Sequence, residues 1–307
     1  MDCLFCTKDM NEPIHLIECR TSDDLIHQGF LYEPQKKGNT ALVWVHGLSG
    51  NFYRNYSLHD ALIAQCKKHG WAYLSCNTRG HDALASIRKI DSAVPTGVSR
   101  VAGGAGQENF TECVYDIQAF IDYLGTLGYS RIILIGHSTG ANKVCYYGAS
   151  YPYDKRVKGI VLASPIRDRL TAPSYLGLIL LVMRFFVALG LGNKLLFVPF
   201  IFFPITPNRF LSLFSRSQED VFAYGEKPPR PMNMVADIHY PVYVMFGQED
   251  EMADRPVGDI LREFDSQNHR LSYTSVCIPG SDHGFDGYEP NVARHIAGFI
   301  QTLLLKK

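Results

Sequence analysis

Residues 132–135 (IILI) run straight into Gly136-His137-Ser138-Thr139-Gly140, and a helical pattern begins at Ala141. A serine set between a strand and a helix in this way has to sit on a very tight turn. Its neighbours two positions away then lie so close to the crossing backbone that a side chain on either would collide, which is the physical reason for Gly136 and Gly140. The turn lifts the Ser138 hydroxyl clear of the strand end. The helix beneath it offers backbone N–H groups, and the positive end of its dipole, where negative charge would develop. For the pentapeptide alone a plain Gly- and Ser-rich turn is the alternative, so the surroundings have to decide.

Those surroundings alternate. Short apolar runs at residues 41–45, 71–76, 132–135 and 157–163 read as strands, with helical stretches near 57–69, 110–124 and 141–150 between them. Runs that are apolar on both faces suit buried parallel strands. The stripe Phe110, Val114, Ile117, Ile121 and Leu124 can lie against a sheet. The expected fold class is therefore α/β: a mostly parallel central sheet with helices on both faces. Residues 14–32 read as an antiparallel hairpin at the sheet edge, and residues 77–109 as a long Gly-containing loop. From Pro165 the rhythm breaks until a strand at 242–246. A helix near 256–264, a strand at 271–278 and a closing helix at 291–305 follow. The expected organisation is a core of residues 1–165 and 237–307, interrupted by an apolar helical cap at 166–236.

Composition narrows the function classes. Of 307 residues, 46% are hydrophobic and 20% charged, which supports a sizeable core and excludes a disordered, collagen-like or multi-span membrane chain. Thirty Lys+Arg balance thirty Asp+Glu, so no net field draws the chain to nucleic acid or to an anionic membrane surface, and no nucleic-acid partner is expected. Residues 1–10 carry neither a basic n-region nor an apolar stretch of export length. A cytoplasmic location is expected, with the eight cysteines as thiols. Cys3 and Cys6 have zinc-knuckle spacing, but no second Cys/His pair follows at matching spacing, so no metal is expected.

Ser138 needs a general base, because a hydroxyl is a poor nucleophile at neutral pH. Downstream histidines are His239, His269, His283 and His295. His283 falls in the loop between the last strand and the last helix, whereas His239 precedes a strand and lies at the opposite edge, and His295 falls within a helix. A carboxylate must hold the imidazole in one tautomer. The strand at 242–246 ends in Gly247-Gln248-Glu249-Asp250-Glu251, and Asp250 is chosen from it, with Glu249 and Asp254 as alternatives. His46-Gly47 follows the strand at 41–45, which suggests the Leu48 N–H as an oxyanion donor paired with that of Thr139.

In this order the motifs VWVHGLSG, CNTRGHD, LIGHSTGA, VMFGQEDE and PGSDHGF resemble those of the α/β-hydrolase superfamily, serine esterase and lipase branch, from Ala41 to the C-terminus. The resemblance implies Ser138 as nucleophile, Asp250 as acid and His283 as base. It places the oxyanion hole at Leu48 and Thr139, and the nucleophile elbow at Gly136, His137 and Gly140. GHSTGANKVCYY resembles the elbow of siderophore-esterase-like hydrolases. Asn77 stands where the family often has an acid, a departure in a structural loop. A serine nucleophile disfavours the aspartate-using relatives, epoxide hydrolases and dehalogenases. The expected activity is hydrolysis of a carboxylic ester with no cofactor, the partner being a small ester substrate. A thioesterase or amidase with the same residues, and a catalytically idle scaffold that binds a ligand, are the alternatives.

The insertion carries the remaining signal. Residues 175–191 (YLGLILLVMRFFVALGL) are apolar all round except at Arg184, and residues 195–205 continue the character. A membrane span needs about 20 uninterrupted apolar residues; Arg184, Lys194, Pro199 and Pro204 interrupt these. A cap with one face on the core and another on a lipophilic substrate accounts for such a helix. Residues packed only on each other, and peripheral contact with a membrane, are the alternatives. Gly103-Gly104-Ala105-Gly106 lacks the Lys-Ser/Thr of a phosphate loop and is expected to be a flexible active-site loop.

Overall fold

The computed structural model describes residues 12–226, 232–267 and 273–305; Cys3, Cys6 and His269 lie outside them. Ten strands form one sheet: β1 (His15–Arg20), β2 (Leu25–Tyr32), β3 (Thr40–Val45), β4 (Ala72–Cys76), β5 (Ala85–Ile90), β6 (Val98–Gly103), β7 (Arg131–His137), β8 (Val157–Ala163), β9 (Val242–Gly247) and β10 (Tyr273–Ile278). The order is β10-β9-β8-β7-β3-β4-β2-β5-β6, with β1 paired to β2. From β10 to β4 all neighbours are parallel, while β1, β2, β5 and β6 pair antiparallel. The α/β architecture read from the alternation is the one observed.

The central strands are apolar throughout because both faces are covered. On one face Val43, Val45, Ile132 and Leu134 pack with helices α2 (Cys113–Thr126) and α3 (Thr139–Ser150). On the other, Leu42, Trp44, Ile133 and Ile135 pack with α1 (Tyr56–His69) and with α9 (Glu289–Leu305). Odd and even residues of one strand thus enter different cores, as the two-residue period requires. Full burial of each Leu, Ile or Val contributes about 1.5–3 kcal/mol. Phe110, Val114, Ile117, Ile121 and Leu124 are all buried, so the stripe faces the sheet as expected.

The segment read as a loop at 77–109 is different. It contains the β5–β6 hairpin, which extends the sheet beyond β2. This hairpin escaped a pattern search because it buries little, only Ile87 on β5 and Gly103 on β6. Gly103 to Gly106 form a buried, tied-down segment and not an open loop. The N–H groups of Gly104, Ala105 and Gly106 donate to the carbonyls of Arg79, Asp82 and Ala83, and the Gly106 carbonyl accepts from Thr206 N–H. A Cβ on Gly106 would lie 2.1 Å from the Pro204 carbonyl oxygen, so this glycine lets the insertion seat on the core.

Between β8 and β9 lie α4 (Asp168–Thr171), α5 (Leu176–Ala188), α6 (Pro207–Phe214) and α7 (Asn233–Asp237). Residues 195–205 are not helical; two prolines preclude it, and a Leu196–Ile205 bridge closes them into a loop. Met183, Val198, Ile205, Phe210, Leu213 and Phe214 form a small core of their own. Helix α8 (Val257–Gln267) follows β9. Among the described residues no helix is long and apolar enough to cross a membrane.

Candidate active site

The chain runs from β3 outward to β4 on one side and later returns to β7, β8, β9 and β10 on the other, so the strand order reverses between β3 and β7. At such a switch point the loops leaving the two carboxyl ends diverge and open a crevice. His46-Gly47-Leu48 leaves β3 there, and Ser138 leaves β7. Both line a cavity of about 200 Å³ that His137 and His283 also border.

Ser138 has φ 56° and ψ −127°, a left-handed conformation costly for any side-chain-bearing residue. Two glycines make it possible. A Cβ on Gly136 would lie 2.2 Å from the Gly140 carbonyl oxygen, and one on Gly140 would lie 2.2 Å from that of Val45. The first contact closes the elbow; the second presses the start of α3 against β3. Gly47 completes the packing, since a Cβ there would sit 2.8 Å from Ser138 Cβ and 3.4 Å from its Oγ. Among the described hydrogen bonds neither the Leu48 N–H nor the Thr139 N–H has an acceptor, so both remain available to a ligand.

His283 stands on the loop after β10. Its Nδ1–H donates to both Asp250 oxygens, at 2.9 and 3.0 Å, which leaves Nε2 free to accept a proton. Asp250 is itself fixed by the Met252 N–H at 3.0 Å. Glu249 is exposed, and Asp254 pairs with Arg255; neither reaches His283. The loops of β9 and β10 meet because Gly247 has no side chain: its Cβ would strike the carbonyl of Asp282 at 2.2 Å. Ser138 and His283 border the same cavity without a hydrogen bond between them. The other described base candidates are elsewhere. His239 is exposed against Tyr153, and His295 on α9 contacts Tyr243.

Several polar residues here were not singled out from the sequence. His137, read only as part of the elbow, lies parallel to Trp44 and donates from Nε2 to the His283 carbonyl at 2.8 Å. Burial, reinforced by the neighbouring His283, lowers its pKa to about 4, so it is a neutral strut under the His283 loop. Glu251 holds the same loop by accepting from His283 N–H at 3.0 Å. His46 accepts at Nε2 from Thr78 N–H, 3.0 Å away, and donates from Nδ1 to the Gly47 carbonyl at 2.9 Å. Burial, then the charge of Lys143, lowers its pKa to about 3. Asn77 accepts from Phe52 N–H at 3.0 Å, a structural use of the amide at the position where an acid was noted as usual.

Lys143, one turn beyond Ser138 on α3, is fully buried. Its Nζ donates to Thr78 Oγ1 at 3.1 Å and to Glu108 at 2.7 Å. Glu108 also accepts from Arg209 of α6 at 2.9 Å, and Arg209 pairs with Glu219. This buried chain of charges ties α3 to the insertion. Beside it, Asp168 lines a second cavity of about 370 Å³ with Leu48, Phe200, Phe203, Leu213 and Phe214. Burial, then the charge of Glu219, raises the Asp168 pKa to about 7.

Comparisons with known proteins bear on the fold and the family. No curated protein matches the chain in sequence. Est1E from Butyrivibrio proteoclasticus, solved with ferulic acid bound, superposes with a TM-score of 0.61 at 18% identity, over 95% of this chain and 100% of that one. An esterase of Pyrococcus furiosus gives 0.60 at 15% identity, over 96% and 92%. A monoacylglycerol lipase of Paleococcus ferrophilus gives 0.58 at 18% identity, over 91% and 99%. At such identities the likeness is one of fold. The sequence profile of the alpha/beta hydrolase family matches residues 42–293, which takes in the elbow, the β3 loop and the Asp250 and His283 loops, and the chain belongs to that family.

Proposed function

We propose that the protein is a serine hydrolase that cleaves a carboxylic ester of a lipophilic substrate through an acyl-enzyme intermediate. One observation carries the reading: Ser138 on its strained elbow and the Asp250-held imidazole of His283 border a single cavity together with Leu48. Neighbours of the same fold that include an esterase and a monoacylglycerol lipase support the choice of ester. Ser138 Oγ attacks the ester carbonyl carbon, the carbonyl π electrons move onto oxygen, and the hydroxyl proton passes to His283 Nε2. The N–H groups of Leu48 and Thr139 stabilise the oxyanion. Its collapse breaks the bond to the alcohol oxygen, which leaves with the proton from His283. Water then attacks the acyl-enzyme, His283 takes its proton, and release of the carboxylic acid returns that proton to Ser138.

Residues 166–236 act in this reading as a cap, and the 370 Å³ cavity beneath them, walled by Phe200, Phe203 and Phe214, takes the apolar part of the substrate. A fluorophosphonate probe tests the assignment. It labels the wild type and leaves Ser138→Ala unlabelled, and octanoate p-nitrophenyl esters are hydrolysed in preference to acetate. Labelling that survives Ser138→Ala moves the nucleophile elsewhere. Faster turnover of the matching thioester than of the oxygen ester would make the enzyme a thioesterase with the same residues.

A further inference from the structure

We propose that the outward face of α5 and the adjoining loop at 195–202 form a docking surface for an anionic phospholipid bilayer. Helix α5 carries two apolar stripes, each at helical spacing. Leu176, Ile179, Leu180 and Met183 face inward onto the insertion's own core. Leu178, Leu181, Val182, Phe185 and Leu189 face outward, and Leu178, Leu181 and Phe185 are each more than 60% exposed. A helix with water on one side carries polar residues there, and this one does not. The loop beside it adds Phe197 at 83% exposure and Phe202, fully exposed at its tip. Large side chains gathered in one patch, and not scattered singly, mark an interaction surface.

Charge selects the occupant. No Asp or Glu occurs between Asp168 and Glu219, whereas Arg169, Arg184, Lys194, Arg209 and Arg216 do. Arg209 is buried with Glu108 and Glu219, and Arg169 and Arg216 pair with Glu226. Arg184 and Lys194 are exposed and have no carboxylate partner among the described residues. Arg184 lies at the flank between the two stripes by the 3.6-residue period, where a long cationic side chain can bury its stem and present its charge to headgroups. A two-fold contact of this face with itself would bring these cations together with no acid in the segment to offset them. An anionic membrane surface supplies acyl chains to the outward stripe and phosphates to the cations.

Depth is consistent with resting on the bilayer and not crossing it. Thirteen residues of α5 rise about 20 Å, against about 30 Å of hydrocarbon. The loop of Phe197 and Phe202 continues through Phe200 and Phe203 into the 370 Å³ cavity that reaches Leu48, so the same segment joins the membrane face to the candidate site.

Flotation of the full chain with vesicles tests the surface alone and does not depend on whether Ser138 is the nucleophile. The wild type is expected to float with vesicles containing one-third phosphatidylglycerol and to bind phosphatidylcholine vesicles at least about fivefold less. Leu178→Ser/Leu181→Ser/Phe185→Ser is expected to lose binding to both by about tenfold or more. Arg184→Glu/Lys194→Glu, which leaves every apolar contact in place, is expected to lose about tenfold on the anionic vesicles only. Unchanged melting temperatures establish that each variant is folded, and the charge pair carries the test if the serine triple variant unfolds. A wild type that stays with neither vesicle overturns the proposal. So does a wild-type dimer in gel filtration that the charge pair leaves intact and the serine variant dissociates, since that face is then a protein interface.

Discussion

At the scale of single residues the site is held by missing side chains as much as by present ones. Gly47 faces Ser138 at a distance a methyl group cannot share. Gly47→Ala is therefore expected to push Ser138 from its position while leaving the sheet intact. A displacement of about 1 Å costs on the order of 10²-fold in turnover. Steady-state hydrolysis of a p-nitrophenyl ester, together with an unchanged far-ultraviolet spectrum, checks this; full activity would mean that the β3 loop yields without disturbing Ser138. The same scale shows what a pattern search sees. Ser138, Gly136 and Gly140 were legible because the elbow is local, a run of five residues between a strand and a helix. Asp250 could only be chosen among neighbouring acids, since register at a strand tip depends on how the loop turns; Met252 N–H and the His283 loop supply that information. His137 gave no signal of its own, because its partner is a backbone carbonyl 146 residues away.

At the scale of elements, the insertion is joined to the core by buried ionic contacts. Arg209 of α6 is the hinge of that junction: it satisfies Glu108 of the core and Glu219 of the insertion, and donates to the Ala105 carbonyl at 3.0 Å. Arg209→Met preserves most of the side-chain volume and leaves the buried Glu219 carboxylate without its cation. It is expected to destabilise the protein by about 3–5 kcal/mol, read as a lower urea midpoint. Glu108 retains Lys143, so most of that loss is expected from the insertion side; a midpoint equal to the wild type would show that the network contributes no net stability. From the sequence Arg209 looks like any surface cation, since Glu108 lies 101 residues away and no periodicity links them. The central strands were readable because burial on both faces makes each a continuous apolar run. The β5–β6 hairpin was not, because an edge pair with one inward face can be mostly polar. Residues 195–205 show the value of the prolines: the run is apolar, and Pro199 and Pro204 interrupt it in the sequence as they do in the fold.

At the scale of the whole molecule, three histidines among the described residues, His46, His59 and His137, are held neutral by burial. Burial lowers the pKa of His46 to about 3 and those of His59 and His137 to about 4. Each titrates near 6.5 in the unfolded chain, so below that pH the unfolded state binds protons that the native state refuses. Stability is thus complete above pH 6.5 and falls as the pH drops toward 4 and 3. His137 alone accounts for up to about 3 kcal/mol of that fall. Asp168 acts in reverse: its raised pKa makes the folded state the better proton binder between about pH 4 and 7. His69 and His81 are shifted in the same direction as the three histidines and Asp286 in that of Asp168; the larger histidine shifts give a melting temperature that is expected to decrease on acidification from pH 6.5, with a shallower decrease in His137→Gln. A melting temperature that rises on acidification would contradict the neutral, buried assignment.

Leu48 borders both cavities, and its side chain packs on the small core of the insertion while its amide has no acceptor among the described residues. On the proposed reading, the wall that feels the greasy half of a molecule is also the wall that steadies charge at the bond being broken. Filling that chamber well would set the amide, and filling it badly would tilt it. Discrimination among chain lengths would then be expressed in speed more than in grip, and a short ester could lodge readily yet react slowly.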